Sequence, residues 1–490
     1  MQQNRISLSK TKVASFLQCE KKLWLNSYGR QQAEFGLDSS LRMERGGEIG
    51  VVARALFPGG ILVTATQDYS PEMQTKQLIE NNSGPIYEAA LVYDDISVYI
   101  DILLPEGNGY HLVEIKSATK VSSHHIIDAA IQLRVAELAG LKIKKVSVGC
   151  INNKFVYLGE GNYEGLIELT DVSGAALDLS DEVDKWFDSA RKVLSSGEPS
   201  VKIGPHCHKP HKCEFEAYCR SLMDNSPAYP ISDLRLPEVK RKELERQGYI
   251  DALETPAQLI ESPKRKRMHQ AILSGESYIS KGASKLVSNI PYPRFYLDFE
   301  TLTEALPLWS GCRPYEQIPF QWSCHIETAD NELIHREFLA SPGLDPRDSC
   351  NKALAELFEG FDGSMIAYNA GFEKRILRAL AKAYPSNRDL FERVCERTYD
   401  LLPICREHFY HRDMHGSWSI KDVIPAIASD LNYADLVVSN GQRAQEAYIK
   451  LSKGGLREEE VKEIQTELLR YCELDTYSMV RIAKYFQDQK

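Results

Sequence analysis

Residues Phe295 to Thr301, read as FYLDFET, place the tightest constraint on what this chain can fold into. Aromatic and aliphatic side chains run directly into Asp298 and Glu300. A strand puts side chains i and i+2 on one face. Both carboxylates therefore face the same side of a segment that otherwise reads as buried. Neighbouring carboxylates repel, and each opposes ionisation of the other. A hard cation that prefers oxygen ligands offsets that repulsion, so Mg²⁺ or Mn²⁺ is the first ligand to consider. An edge strand with two solvated acids has the same pattern, so D-x-E by itself decides nothing.

The 490-residue length suggests about three domains. With 43% hydrophobic and 26% charged residues, the composition is that of a globular cytosolic protein. Apolar runs such as 96–104 are interrupted by Asp or Tyr and fall short of a membrane span. The opening MQQNRISLSKTK lacks the apolar core of a signal peptide. The expected location is cytoplasmic, without membrane contact. A net charge of −10 argues against a general nucleic-acid coat, but clustered acidic ligands contribute to it and a bound metal reverses the local sign. Eleven cysteines in such a chain do not read as a disulfide framework. Cys207, Cys213 and Cys219 fall within a short polar segment, and the others are scattered.

In the N-terminal third, residues 8–27 carry a helical apolar pattern that contains Cys19. A second helix is expected over 41–56, carrying Glu48 and stopped by Phe57-Pro58-Gly59-Gly60. Residues 95–104 and 109–116 alternate as strands around the turn PEGNG, a hairpin signal. Asp101 falls on the first strand, and Glu114 and Lys116 share a face of the second. Two carboxylates at this spacing can hold Mg²⁺ against a scissile phosphate, with the lysine orienting water or offsetting charge. A surface hairpin of alternating charge gives the same E-x-K pattern. A helix over 128–140 places Gln132 mid-length, and strands follow at 145–152 and 155–158. The segment GPHCHKPHKCEFEAYCRS concentrates thiols suited to Zn²⁺ or to an iron–sulfur cluster. His206, His208 and His211 lie in it, which keeps a Cys₃His zinc site open.

In order, Cys19, Glu48, Asp101, Glu114-Ile115-Lys116, Gln132 and the cysteine cluster resemble the RecB-like branch of the PD-(D/E)XK nucleases, among them CRISPR-associated exonucleases. The resemblance spans about residues 7–222. It implies a restriction-endonuclease-like fold, catalysis by Asp101, Glu114 and Lys116, and metal binding by Asp101 and Glu114. It further implies that Cys19, Cys207, Cys213 and Cys219 bind a [4Fe–4S] cluster that staples the N-terminal helix to the end of the domain, with zinc as the alternative. This chain departs from the family in its C-x5-C-x5-C spacing, in Glu48 where the family often has His, and in Ala136 where it normally has Tyr.

Residues 223–290 are rich in Pro, Lys, Arg and Glu and read as a helical connector. A helix–turn–helix-like pair around Gly248 is an alternative. Beyond it, strands are expected at 316–327 and 334–339, and a short strand ending at Asn369 leads into a helix bearing Glu373. Tyr471 and Asp475, four apart, share a face of the last helix. Glu473 reads as a solvated neighbour. The stretch 409–424, with Trp418, reads either as a strand-holding loop with a stacking platform or as a structured insertion.

Asp298-Phe299-Glu300, Asn369 through Glu373, and Tyr471 through Asp475 together resemble the DnaQ-like 3′–5′ exonucleases, in their Tyr-containing DEDD subclass. The resemblance covers about residues 291–490. It implies a ribonuclease H-like fold and two Mg²⁺ or Mn²⁺ ions ~3.5–4 Å apart. Asp298, Glu300, Glu373 and Asp475 would hold them, and Tyr471 would position the attacking water. Glu373 stands where the family usually has Asp. The whole chain is thus expected to be α/β, with a PD-(D/E)XK nuclease over 1–222, a connector over 223–290 and a DnaQ-like exonuclease over 291–490. The expected activity is metal-dependent hydrolysis of phosphodiesters, with DNA favoured over RNA, in processing, repair or defence. The alternatives are a degenerate module serving as a nucleic-acid clamp, or RNA as the substrate.

Overall fold

The computed structural model describes residues 7–34, 37–65, 69–81, 83–222, 227–433 and 436–489, with side chains from Gly46 onward in the helix Leu37–Leu56. The chain is mixed α/β and forms two compact units. Unit 1 comprises Met1–Asp224 with Glu304–Glu316, and unit 2 comprises Asn225–Thr303 with Gln317–Lys490. The expected boundary at 222/223 abuts residues 223–226, which lie outside the described set. The expected connector does not stand apart: it clusters with the C-terminal unit. Among the described residues, no helix is long and apolar enough to cross a membrane.

Unit 1 is built on strands β1 (Leu8–Ser9), β2 (Ile61–Leu62), β3 (Ile86–Tyr93), β4 (Ile96–Glu106), β5 (Gly109–Lys116), β6 (Ile143–Ile151) and β7 (Ile167–Asp171). They form one mixed sheet in the order β2-β3-β4-β5-β6-β7, with β1 parallel to β4. The hairpin read from PEGNG is β4–β5, closed by Glu106 opposite Gly109. Ile96, Val98 and Ile100 pack into one core with Ala129, Leu133 and Ala136 of the helix Ser123–Leu138. Ile102 and Val113 instead meet Ala53 of the helix Leu37–Leu56. The helix expected across Cys19 is broken there, into Lys10–Gln18 and Glu20–Tyr28, because Cys19 is extended (φ −168°, ψ 127°). The strand expected at 155–158 is absent. Its backbone is taken up otherwise, with Tyr157 N–H donating to Cys312 O.

Unit 2 holds β8 (Tyr278–Ile279), β9 (Arg294–Leu302), β10 (Ile318–Glu327), β11 (Leu333–Leu339), β12 (Ser364–Ala367), β13 (Thr398–Asp400) and β14 (Phe409–Tyr410). The main sheet runs β11-β10-β9-β12-β13, and β8 pairs with β14 apart from it. The FYLDFET strand is therefore central, antiparallel to β10 on one side and parallel to β12 on the other. Phe295, Leu297 and Phe299 pack with Leu354, Ile376 and Phe391 on one face. The 30-residue helix Glu458–Gln487 lies on the other. Around Gly248, only the preceding helix Glu238–Arg246 is regular. The next helix starts at Pro263, so no helix–turn–helix forms there.

Arg294, at the start of β9, is fully buried. Its guanidinium donates to the carbonyls of Val287 and Ile290 at 2.9–3.0 Å and lies 3.5 Å from the Glu327 carboxylate, which also accepts from Tyr296 at 2.9 Å. Removing one partner strands the other charge in the core. Arg294→Ala should therefore cost about 3–5 kcal/mol of unit 2 stability, read by urea denaturation. A loss below about 1 kcal/mol would disprove this anchoring role.

Candidate functional site

On β9, alternation sends Asp298 and Glu300 to the face opposite the apolar core, under the last helix. That helix brings Tyr471 and Asp475 to them. Ligand oxygens of Asp298, Glu300 and Asp475 all lie within 4.8 Å of one another. Glu300 and Asp475 are buried and Asp298 is half-buried. Among the described residues, none of the three makes an ion pair with a lysine or arginine. Burial, and after it the neighbouring carboxylates, hold Asp298 well above the usual carboxylate range. Burial followed by Asp475 pushes Glu300 up to about 8.

Glu373 projects from the first turn of the helix Gly371–Ala383, is buried, and leaves Oε2 without a hydrogen-bond partner. Burial raises it to about 8, with Asp400 adding to the effect. It also lies close enough to Asp298 to raise that group. Asn369 occupies the left-handed turn before this helix (φ 72°). Its N–H and that of Ala370 donate to Asp400 at 2.9 and 3.1 Å. Asp400 thus fixes the turn that launches Glu373.

Three further neighbours have no spacing signal in the sequence. Tyr433 donates to Asp475 Oδ1 at 2.7 Å. Lys421 Nζ donates to Tyr471 Oη at 3.2 Å and to Ser439 O at 2.6 Å, and its charge reaches Glu300 and Asp475. At Gly441, a Cβ would come within 3.2 Å of Glu300 Oε2. Burial, then Asp475, raises the Tyr471 phenol far above its ordinary range, so it stays protonated. Trp418 does not offer a free platform, because Lys264 Nζ sits 4.3 Å from its ring centre and its indole N–H donates to Phe409 O.

In unit 1, Asp101 and Glu114 lie on adjacent strands. The β4–β5 ladder ends at Ile102–Val113, and the Ile115 N–H donates instead to Asp101 Oδ2 at 2.6 Å. Burial, then Glu114, raises Asp101 to about 7. Glu114 is also buried, but Lys10 and Lys116, at 2.6 and 2.8 Å, outweigh that and hold it low, at about 2. Lys116 bridges onward to Asp128 at 2.6 Å. Gln132 donates to Glu114 at 2.6 Å and to Tyr99 O at 2.9 Å. Asp101 and Glu88 line a cavity of about 230 Å³ with Gly46, Gly47 and Ser117. Glu88 has φ 53° and would pair with Asp101 in a ladder that skips both residues. An acid within the apolar run IYEAALVY was the overlooked signal for it. Lys10 and Asp128 carried no such signal. Glu48 is exposed and lies electrostatically near Tyr163.

Cys19, Cys207, Cys213 and Cys219 line one pocket of unit 1, with His206 on its wall and about 10 Å³ of free space. All four are free thiols. Burial pushes Cys213 up to about 11 and raises Cys219. His208 instead faces Glu216 at 3.7 Å, and His211 packs edge-on against His124.

Residues 295–419 match the family described as Domain of unknown function (DUF2779), a stretch that includes Asp298, Glu300, Asn369, Glu373 and Asp400. The chain is also similar to Uncharacterized protein MG366 of Mycoplasma genitalium, 25% identical over 217 residues, which are 40% of this chain and 32% of that protein. Uncharacterized protein UU173 of Ureaplasma parvum is 25% identical over 231 residues, 42% of this chain and 33% of that protein. The matched stretch spans about a third of the length of these curated relatives.

The raised acids have a measurable consequence. Glu300 and Glu373 titrate near 8 when folded, against an ordinary value of 4.5. Between those values the unfolded chain has released protons that the folded chain keeps, so stability falls as pH rises through the window and levels off above it. Chelator-treated protein should melt roughly 5 °C or more lower at pH 8 than at pH 5.5. Glu300→Gln should flatten that dependence, as read by differential scanning calorimetry. A variant that keeps the full wild-type slope would contradict the assignment.

Proposed function

We propose that the chain is a divalent-metal-dependent nuclease with a hydrolytic site in each unit, acting on DNA in preference to RNA. Unit 1 corresponds in this reading to the RecB-like PD-(D/E)XK fold, and unit 2 to the DnaQ-like, ribonuclease H-like fold. The observation that carries it is the convergence of Asp298, Glu300 and Asp475 from a central strand and a distant helix, with no lysine or arginine ion pair to them among the described residues. Three converging carboxylates suit a Mg²⁺ or Mn²⁺ site, which selects oxygen ligands. The unpartnered Oε2 of Glu373 fits the same donor set.

Asp298, Glu300, Glu373 and Asp475 would hold the metal. When bound, it supplies charge stabilisation at the phosphoryl oxygens and a water of lowered pKa. Tyr433 orients Asp475 through its hydroxyl. Tyr471 stays protonated and would position the attacking water, while Lys421 steadies its oxygen and places positive charge beside the acids. Gly441 leaves the room that Glu300 needs.

In unit 1, Asp101 and Glu114 would bind metal beside the Glu88 cavity. Lys116, kept charged by Glu114 and Asp128 against the effect of burial, would face the phosphate or its attacking water. Gln132 holds Glu114 in place. The cysteine pocket would carry the [4Fe–4S] cluster as a structural staple. Its small free space and His206 favour a second reading, a single zinc ion.

Digestion of labelled DNA and RNA, each single- and double-stranded, tests the activity. Asp298→Asn and Glu114→Gln should each remove the cleavage of their own unit by at least ~100-fold, and the double variant should be inactive. Undiminished cleavage by the double variant would overturn the assignment. Metal analysis of anaerobically purified protein tests the pocket. Iron and sulfide in equal amount support the cluster, and zinc without iron supports the second reading. Neither metal bound, or either one retained in full by Cys213→Ser, would remove the pocket as a metal centre.

A further inference from the structure

The sheet face that carries Asp298 holds a second convergence of ligand-type side chains, outside the candidate catalytic groups. His325 on β10 and His335 on β11 are directly opposed across the strand pair, with ring centres 4.5 Å apart and planes 26° apart. Glu473, one helical position pair before Asp475, comes down beside them. Ligand atoms of His325, His335 and Glu473 all lie within 4.8 Å of one another.

Behind the rings runs a polar chain centred on the Thr476 hydroxyl, which lies 3.0 Å from the Glu473 carbonyl and 2.8 Å from both Ser323 Oγ and His325 Nδ1. Ser323 Oγ in turn lies 2.9 Å from His335 Nε2. Each ring thus uses one nitrogen in this chain, and the other, His325 Nε2 or His335 Nδ1, lies outside it. His335 Nδ1 faces Glu473 Oε1 at 3.8 Å, beyond hydrogen-bond length.

An ion placed among these atoms would take one nitrogen from each ring and one oxygen from the carboxylate. We infer that His325, His335 and Glu473 form a binding site for a borderline divalent transition ion of the zinc class, linking β10 and β11 to the last helix. Two imidazoles and one carboxylate suit Zn²⁺, Co²⁺ or Ni²⁺ better than Mg²⁺, which selects oxygen. Thr476 and Ser323 supply the outer hydrogen bonds that orient ligating histidines. Glu473 also lines a surface cleft of about 320 Å³ with Arg470 and Tyr477. Glu337, on the same face as His335, adds negative charge at the rim. This site stands whether or not the chain is a nuclease, since it uses none of the residues assigned to cleavage.

Full-length, metal-stripped protein titrated with Zn²⁺ against a chromophoric chelator tests the inference. Glu473→Gln is half-exposed and His335→Asn is partly exposed, so both should stay folded, as circular dichroism would verify. Each should lose one zinc equivalent, or bind it at least ~10-fold more weakly. Asp298→Asn and Cys213→Ser should keep that equivalent. Cobalt at this site should give visible ligand-field bands without thiolate charge transfer, and those bands should vanish in Glu473→Gln. Equal zinc stoichiometry and affinity in wild type, Glu473→Gln and His335→Asn would overturn the site.

Discussion

The repulsion among Asp298, Glu300 and Asp475 is the interaction on which unit 2 depends. The apolar face of β9 buries Phe295, Leu297 and Phe299, and strand geometry then forces the acids onto the opposite face. The last helix covers that face and adds a third carboxylate. Under the proposed function a divalent ion would relieve the electrostatic cost of bringing them together. Tyr433, Tyr471 and Lys421 surround the acids with polar groups that orient them without neutralising them.

Unit 1 handles the same kind of charge differently. Glu114 is equally buried, but two lysines and Gln132 surround it, and Lys116 is shared with Asp128. Its charge is offset within the protein. Asp101 is tied down by a backbone amide and opens on the cavity with Glu88. Under the proposed function the two sites would differ in what they ask of a metal. In unit 2 the ion would relieve the carboxylates. In unit 1 it would add to a charge balance already set.

Local pattern carried far in this sequence. FYLDFET was a strand with both acids on one face, and the alternation of GYHLVEIK gave Glu114 and Lys116 a common face because strand periodicity is strictly two. The turn at PEGNG closed the expected hairpin. Pattern failed where backbone conformation answered to distant contacts. Cys19 breaks a helix that its neighbours' apolar spacing favours, and the break lets its thiol join the pocket of Cys207, Cys213 and Cys219. The aromatic run at 155–158 has strand composition, yet the Tyr157 amide and carbonyl pair with Cys312 and Gly311 of the 304–316 segment, which no local signal could announce.

The sequence by itself determined which acids share a face, since a residue's side on a strand or helix follows from its neighbours alone. Asp298 with Glu300, Glu114 with Lys116, and Tyr471 with Asp475 were settled at that level. Only the tertiary structure decided which of these groups meet, and what lies between them. Lys10, Glu88, Asp128, Asp400, Lys421 and Tyr433 come from segments with no common spacing, and each reaches its site because packing brings remote backbone together. The FYLDFET acids therefore owe their side to local geometry, and their meeting with Asp475 to the helix that folds over them.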